Sequence, residues 1–209
     1  NKIMNIEGQI VLKKGRDASA RRFHPWIFSG AIHSMEGTPV DGDWVEVKDA
    51  SKQTLGFGHY QQGTITVRLL SFTSGAPLNS IYADKIARAL QQRRITNVIS
   101  DKTNCYRLVH GEGDGLPGLI IDIYHGVAVL QAHSTGMHKD RQLIAESICA
   151  VLADDIKAVY YKSQTTLPGK AEKEYLLGMS AVPHIVLEHG NKFYVDWEEG
   201  QKTGFFLDQ

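Results

Sequence analysis

With 209 residues, 42% of them hydrophobic and 22% charged, the chain has the composition of ordinary globular protein and the length of one large or two modest domains. No apolar run reaches about 18 residues and no signal-peptide pattern opens the chain, so neither a membrane span nor a membrane partner is expected, and the cytoplasm is the expected compartment. The formal net charge of +0 argues against a protein that is basic all over, yet residues 1–30 carry Lys2, Lys13, Lys14, Arg16, Arg21 and Arg22 against only Glu7 and Asp17.

Residues 8–73 read as short strands, with turn signals about every ten residues, as in a small barrel. The strands are Gln9–Lys13, Trp44–Lys48, Leu55–Tyr60 and Thr64–Leu70. Gly56 and Gly58 would weaken a flat strand and suit a bend or a close approach of another backbone. Between the first two strands, Pro25 forces His24 out of the helical region, which predicts a short helix before it and an extended segment after it. Arg and Lys here can meet phosphates, while His24, Trp26 and Phe28 can stack on splayed bases or fill the barrel. The basic strand and turn, the run His24-Pro25-Trp26-Ile27-Phe28-Ser29-Gly30-Ala31 and the barrel strands after it resemble the PUA-type RNA-binding module that opens a family of bacterial ribosomal RNA methyltransferases. On that reading Lys13, Lys14, Arg16, Arg21, Arg22, His24 and Trp26 are the candidate RNA contacts.

Ser71 to Leu78 holds Thr73, Ser74, Gly75 and Pro77 and marks a domain boundary. A helix follows, with Tyr82, Ile86, Ala89 and Leu90 on one face and Arg88, Arg93 and Arg94 toward its C-terminal half, where cations suit the helix dipole. Two apolar strands, within 105–124, then flank the turn Gly113-Asp114-Gly115-Leu116-Pro117-Gly118. A strand rather than a helix follows Gly118, so this is no phosphate-binding glycine loop, and Glu112, Asp114 and Asp122 are read as acids placed for turn geometry rather than as metal ligands. This segment resembles the linking domain of the same methyltransferases. A strand at Val127–Ala132, a helix from Met137 to Leu152 and a strand at Ala158–Lys162 complete a βαβ-like pattern. Residues 163–180 read as a polar, solvated loop that takes in Lys162 at its border, Lys170 and Lys173. Cys105 and Cys149 are too few for a zinc site and are read as reduced, structural cysteines.

Ile185–His189 and Lys192–Asp196 flank Gly190-Asn191, which predicts a hairpin with a type II′ turn. Glu198 to Gln209 then gathers two glycines, a lysine, a threonine and two aromatics, the composition of a ligand-contacting loop. The run Gly200-Gln201-Lys202-Thr203-Gly204-Phe205-Phe206-Leu207-Asp208-Gln209 resembles the entry into the Rossmann-like domain of the family, and the three resemblances in order cover essentially the whole chain. They are similar to PUA-containing 23S ribosomal RNA cytosine-5 methyltransferases, which use S-adenosylmethionine. The resemblance implies an α+β protein: a PUA-like barrel over 1–73, an α/β linking domain over 74–180, and a hairpin with a truncated start of the methyltransferase domain over 181–209. It also implies that Lys202, Thr203, Gly204, Phe205, Asp208 and Gln209 border the cofactor in the complete enzyme, and that large-subunit ribosomal RNA is the partner. The span itself lacks the glycine-rich cofactor turn and a catalytic cysteine motif, so neither catalysis nor tight cofactor binding is expected of it. Its terminal loop is expected to be exposed, or to meet a neighbouring chain in a homodimer. The alternative is a stand-alone, non-catalytic PUA-type RNA-binding protein.

Overall fold

A computed structural model describes residues 5–73, 80–162, 173–200, 203–205 and 207. The chain forms two compact units, Asn1–Ile81 and Tyr82–Gln209. The expected mixture of strands and helices is present in them.

The first unit holds β1 (Ile6–Leu12), α1 (Ala18–Arg21), β2 (Trp26–Phe28), β3 (Ile32–Gly37), β4 (Trp44–Lys48), β5 (Thr54–Tyr60) and β6 (Ile65–Ser71). They make one six-stranded sheet in the order β2-β6-β5-β4-β1-β3. The two edge strands, β2 and β3, are joined by one 3-10 turn over Ser29–Ala31. So short a link forces the sheet to curl until its edges meet, which is why a small unit can enclose a core. Alternate residues supply that core: Ile10 and Leu12, Val45 and Val47, Val67 and Leu69, with Ile27 from β2, all at most 2% exposed. Burying each such side chain stabilises the unit by about 1.5–3 kcal/mol. Strand β3 was not visible in the sequence, because five of its six residues are exposed and no apolar alternation marks it.

The second unit opens with α2 (Ile81–Ile95), whose Tyr82, Ile86, Ala89 and Leu90 are all buried, as the helical spacing predicts. A five-stranded sheet follows in the order β11-β10-β9-β8-β7. It comprises β7 (Cys105–His110), β8 (Leu119–Tyr124), β9 (Val127–Ala132), β10 (Ala158–Lys162) and β11 (Lys173–Leu177). β9 and β10 run parallel, joined through α3 (Thr135–Lys139) and α4 (Arg141–Leu152), so the βαβ unit is present. The single predicted helix is two, broken at Asp140, whose carboxylate accepts from the Tyr82 hydroxyl at 2.7 Å. The solvated loop predicted over 163–180 is corrected in part: Lys173–Leu177 is strand β11, paired antiparallel to β10. Residues 163–172 of that expectation lie outside the described residues. The hairpin of β12 (His184–Glu188) and β13 (Asn191–Val195) forms as expected, but its turn is one residue earlier. His189 (φ 50°) and Gly190 (φ 83°) both take left-handed values, so the turn is type I′ rather than II′.

Gly56 and Gly58 are close-approach glycines: a Cβ would collide with the carbonyl oxygens of Ser71 and Arg68 on β6, where the β5–β6 register also slips. Gly58→Ala is expected to destabilise by about 1–3 kcal/mol in urea denaturation. Gly30→Ala, whose Cβ would meet nothing within 4 Å, is expected to leave the midpoint nearly unchanged. Equal midpoints for the two variants would remove this account of β5.

Candidate functional site

In the first unit, the β1–α1 turn and the approach to β2 gather the basic residues. Arg16 N–H donates to the Lys13 carbonyl at 3.0 Å, closing a turn around Gly15 (φ 77°). Lys13 Nζ donates to the Gly30 carbonyl at 2.9 Å, which ties this turn to the link between the edge strands. Arg21 donates to Asp17 at 2.5 Å and to the buried Asp49 at 2.6 Å. The guanidinium holds Asp17 below the usual carboxylate range. Asp49 also accepts from the backbone of Ser51 and Gln53, so Arg21 fastens α1 to the β4–β5 turn. Lys14, Arg16 and Arg22 are exposed, and no ion pair engages them among the described residues. His24, Trp26 and Phe28 form a row of edge-to-face rings, with centroids 5.6 and 6.2 Å apart. Trp26 is half-buried in that row, so it is neither pure core nor a free platform. Sequence reasoning passed over Phe23, which is 70% exposed at φ 63° and packs edge-on against Phe72.

In the second unit, the terminal segment is built on one face of the five-stranded sheet. Asp122 lies on β8 with no exposed surface, and Arg107 on β7 meets it with two hydrogen bonds of 2.8 and 3.0 Å. The Thr203 hydroxyl donates to the same carboxylate at 2.7 Å and lies 2.9 Å from the Tyr124 hydroxyl. Thr203 gives its one proton to Asp122, so it accepts from Tyr124, whose pKa burial, followed by the Asp122 charge, raises well above its ordinary value. Lys162, buried on β10, donates to the carbonyls of Trp197 (2.9 Å) and Gly200. Burial pushes its pKa down. Trp197 stacks on Tyr124 at 6.2 Å and donates Nε1–H to the Tyr175 hydroxyl at 3.1 Å. Asp196 accepts from the backbone of Glu198 and Glu199, turning the chain over Lys162. Gly200 and Gly204 sit where a Cβ would strike Asp196 and Trp197 backbone, so the loop closes only with glycine at both places.

The expectation of an exposed terminal loop is therefore corrected. Thr203 and Leu207 are buried, at 0% and 7%, and the ring of Phe205 packs 5.2 Å from that of Phe193. Lys202, Asp208 and Gln209 lie outside the described residues. The homodimer expectation loses its basis, because the described residues that were to meet a second chain are packed within their own unit. The acids are also committed: Asp114 forms a two-pronged ion pair with Arg93 at 2.8 Å and accepts from the His110 backbone. That pair gives Arg93 a partner beyond the helix dipole. Cys105 points its Sγ at the Leu187 carbonyl, and burial with the nearby Glu188 pushes its pKa up to about 11, opposite to what a nucleophilic thiolate needs. Lys162, read as part of a solvated loop, is instead a buried anchor. The signal available in sequence was its place at the end of an apolar strand.

Residues 10–72 match the PUA-like domain family. Nearly the whole chain is similar to proteins named ribosomal RNA large subunit methyltransferase I. The relative from Alteromonas mediterranea is 36% identical over 210 residues, covering 98% of this chain and 52% of its own length. That from Shewanella amazonensis is 37% identical, covering 96% and 52%. The chain thus spans about half the length of the curated relatives it matches. Among solved structures, a protein from Streptococcus mutans described as a SAM-dependent methyltransferase superposes with a TM-score of 0.76 at 20% identity, over 96% of this chain and 51% of that one. A methyltransferase structure complexed with SAH superposes at 0.77, again at 20% identity over 96% and 51%. At that identity the likeness is one of fold.

Removing Arg107 would leave Asp122 buried without a counter-charge. Arg107→Ala is expected to cost about 3 kcal/mol in urea denaturation, and Thr203→Val about 1 kcal/mol. Hydrogen exchange in Thr203→Val should quicken over 196–205 while α2 stays protected, and uniform quickening would contradict the local role of that contact.

Proposed function

Starting from homology to large-subunit ribosomal RNA methyltransferases about twice its length, we propose that this chain is the RNA-recognition and linking part of such an enzyme. The collinear match over 98% of the chain carries the reading, with the PUA-like domain at 10–72. The first unit supplies the RNA surface. Among the described residues, Lys14, Arg16 and Arg22 have no ion pair, and Arg16 lines a pocket with Phe28, whose ring continues the row of His24 and Trp26, which suits phosphate contact next to base contact. Lys13 and Arg21 hold that surface in shape and add to its charge. By domain, 1–73 is the RNA-binding barrel, 74–180 the link, and 181–209 the approach to a catalytic domain.

S-adenosylmethionine supplies the methyl group in the proposed reaction, and the target proposed is cytosine C5 of large-subunit RNA. The terminal segment fits one wall of a cofactor site. Gly204 and Phe205 offer backbone and an aromatic ring, whereas the Thr203 hydroxyl is already held by Asp122 and Tyr124. Lys202, Asp208 and Gln209 are proposed to complete that wall. The nucleophilic cysteine that C5 chemistry requires is assigned to sequence beyond this span, since burial pushes the thiol pKa of both Cys105 and Cys149 up, opposite to what a nucleophilic thiolate needs. The span by itself is proposed to be inactive, and the cytoplasm, where ribosomal RNA is made and modified, is its proposed location. A stand-alone RNA-binding protein is the rival reading. Sequencing the gene past Gln209 and assaying the encoded protein with labelled S-adenosylmethionine decides between them. Label in 5-methylcytidine of large-subunit RNA is the expected result, and label in another nucleoside would overturn the C5 assignment.

Two further outcomes are expected for the span itself. RNA affinity should fall steeply with salt, and Arg16→Ala with Arg22→Ala should weaken binding and flatten the log–log salt slope by about two. Titration calorimetry with S-adenosylmethionine should show no tight binding, and a low-micromolar constant would place the cofactor site within these residues.

A further inference from the structure

Where the β1–α1 turn faces the link between the edge strands, an open pocket of about 400 Å³ is lined by Gly15, Arg16, Ser19, Phe28, Gly30 and Ala31. We propose that this pocket seats one unpaired nucleobase, stacked on Phe28 with its phosphate at Arg16. The barrel would then select single-stranded RNA over a duplex. The proposal rests on the reading of this unit as RNA-binding and names the form of RNA it takes.

Four observations carry it. Phe28 is 44% exposed on edge strand β2, and its ring continues the row from His24 and Trp26. An exposed aromatic offers a face to any base, and only an unpaired base is free to leave its stack and take it. Arg16 is exposed and, among the described residues, has no ion pair, so its guanidinium is available to a phosphate. Ser19 adds a hydroxyl to the lining. A Cβ at Gly15 or Gly30 would meet nothing within 4 Å, so both glycines leave open space toward the pocket. Lys13 Nζ, held by the Gly30 carbonyl, fixes the two walls of the pocket to each other, so the site is present before ligand arrives.

The test uses the chain as it stands and compares a short mixed-sequence RNA strand with the same strand in a perfect duplex, by fluorescence anisotropy at low salt. Tighter binding of the single strand, by about fivefold or more, is expected. Trp26 provides a second signal, since the other two tryptophans, Trp44 and Trp197, are only 5% and 0% exposed. The single strand should quench tryptophan emission and the duplex should not. Phe28→Ala, which removes the stacking face, and Gly30→Leu, which fills the pocket, should each weaken single-strand binding by about fivefold or more. Phe28→Tyr should restore it, and duplex binding should stay unchanged in all three. Should Phe28→Ala or Gly30→Leu melt early, Arg16→Glu replaces it, as an exposed change that breaks no ion pair. Wild-type single-strand affinity in folded pocket variants overturns the pocket and leaves RNA binding intact. Failure of both RNA forms to bind overturns the RNA reading as well.

Discussion

An ionised carboxylate with no exposed surface sets the terms for the second unit. Asp122 sits on a central strand between apolar neighbours, and removing its charge from water is costly unless several donors meet it. Arg107 supplies two donors from the adjacent strand, and Thr203 supplies a third from a segment about eighty residues away in sequence. The path of the terminal chain follows from that need. Thr203 must reach the sheet, so Gly200 and Gly204 must let the backbone fold tightly over Trp197. Lys162 then satisfies the carbonyls that the tight turn leaves unpaired. The amine on β10 thus holds one end of that loop, and the carboxylate on β8 holds the other.

The first unit depends on a different constraint, a short tether. Three residues connect the two edges of its sheet, so the sheet curls and its alternating residues meet in a core. The same tether places Phe28 and Gly30 opposite the β1–α1 turn. A basic turn and an exposed aromatic that lie apart in sequence thereby become neighbours. Surface chemistry and fold closure have one cause here, which is why the candidate contacts cluster around a single turn rather than spread over the sheet.

Legibility in the sequence divides along physical lines. Elements with strong period were readable: Ile10 and Leu12, Val45 and Val47, and the buried stripe of α2 all fall where spacing places them. Strand β3 was not, since an edge strand that buries almost nothing leaves no apolar pattern. Lys162 was misread because lysine usually marks solvent, and only tertiary contact reveals that it is buried under the terminal loop, whereas Lys173 is exposed as read but lies on a strand rather than in a loop. The hairpin turn was misplaced by one residue, since His189 adopts a left-handed conformation that composition alone assigns to glycine. A lone Asp in Ile120-Ile121-Asp122-Ile123 was a signal that went unused: an acid inside an apolar strand implies a buried partner.

Charge in the basic segment sorts by the company it keeps. Residues 1–30 hold six cations, and their count alone suggests a broad electrostatic patch. Geometry separates the five of them that are described. Arg21 is held by two carboxylates, one of them buried, and so contributes to the placement of α1 before it contributes to any ligand. Lys13 is held by a carbonyl. Lys14, Arg16 and Arg22 have no ion pair among the described residues, and of these three Arg16 alone lines a pocket with an aromatic ring. An unpaired guanidinium in water loses little by staying solvated, so its exposure alone argues for nothing. Beside an exposed ring the balance changes, because a nucleotide can engage the guanidinium and the ring at once. The selective contact is therefore argued from the pairing of Arg16 with Phe28, and the remaining cations supply attraction without discrimination.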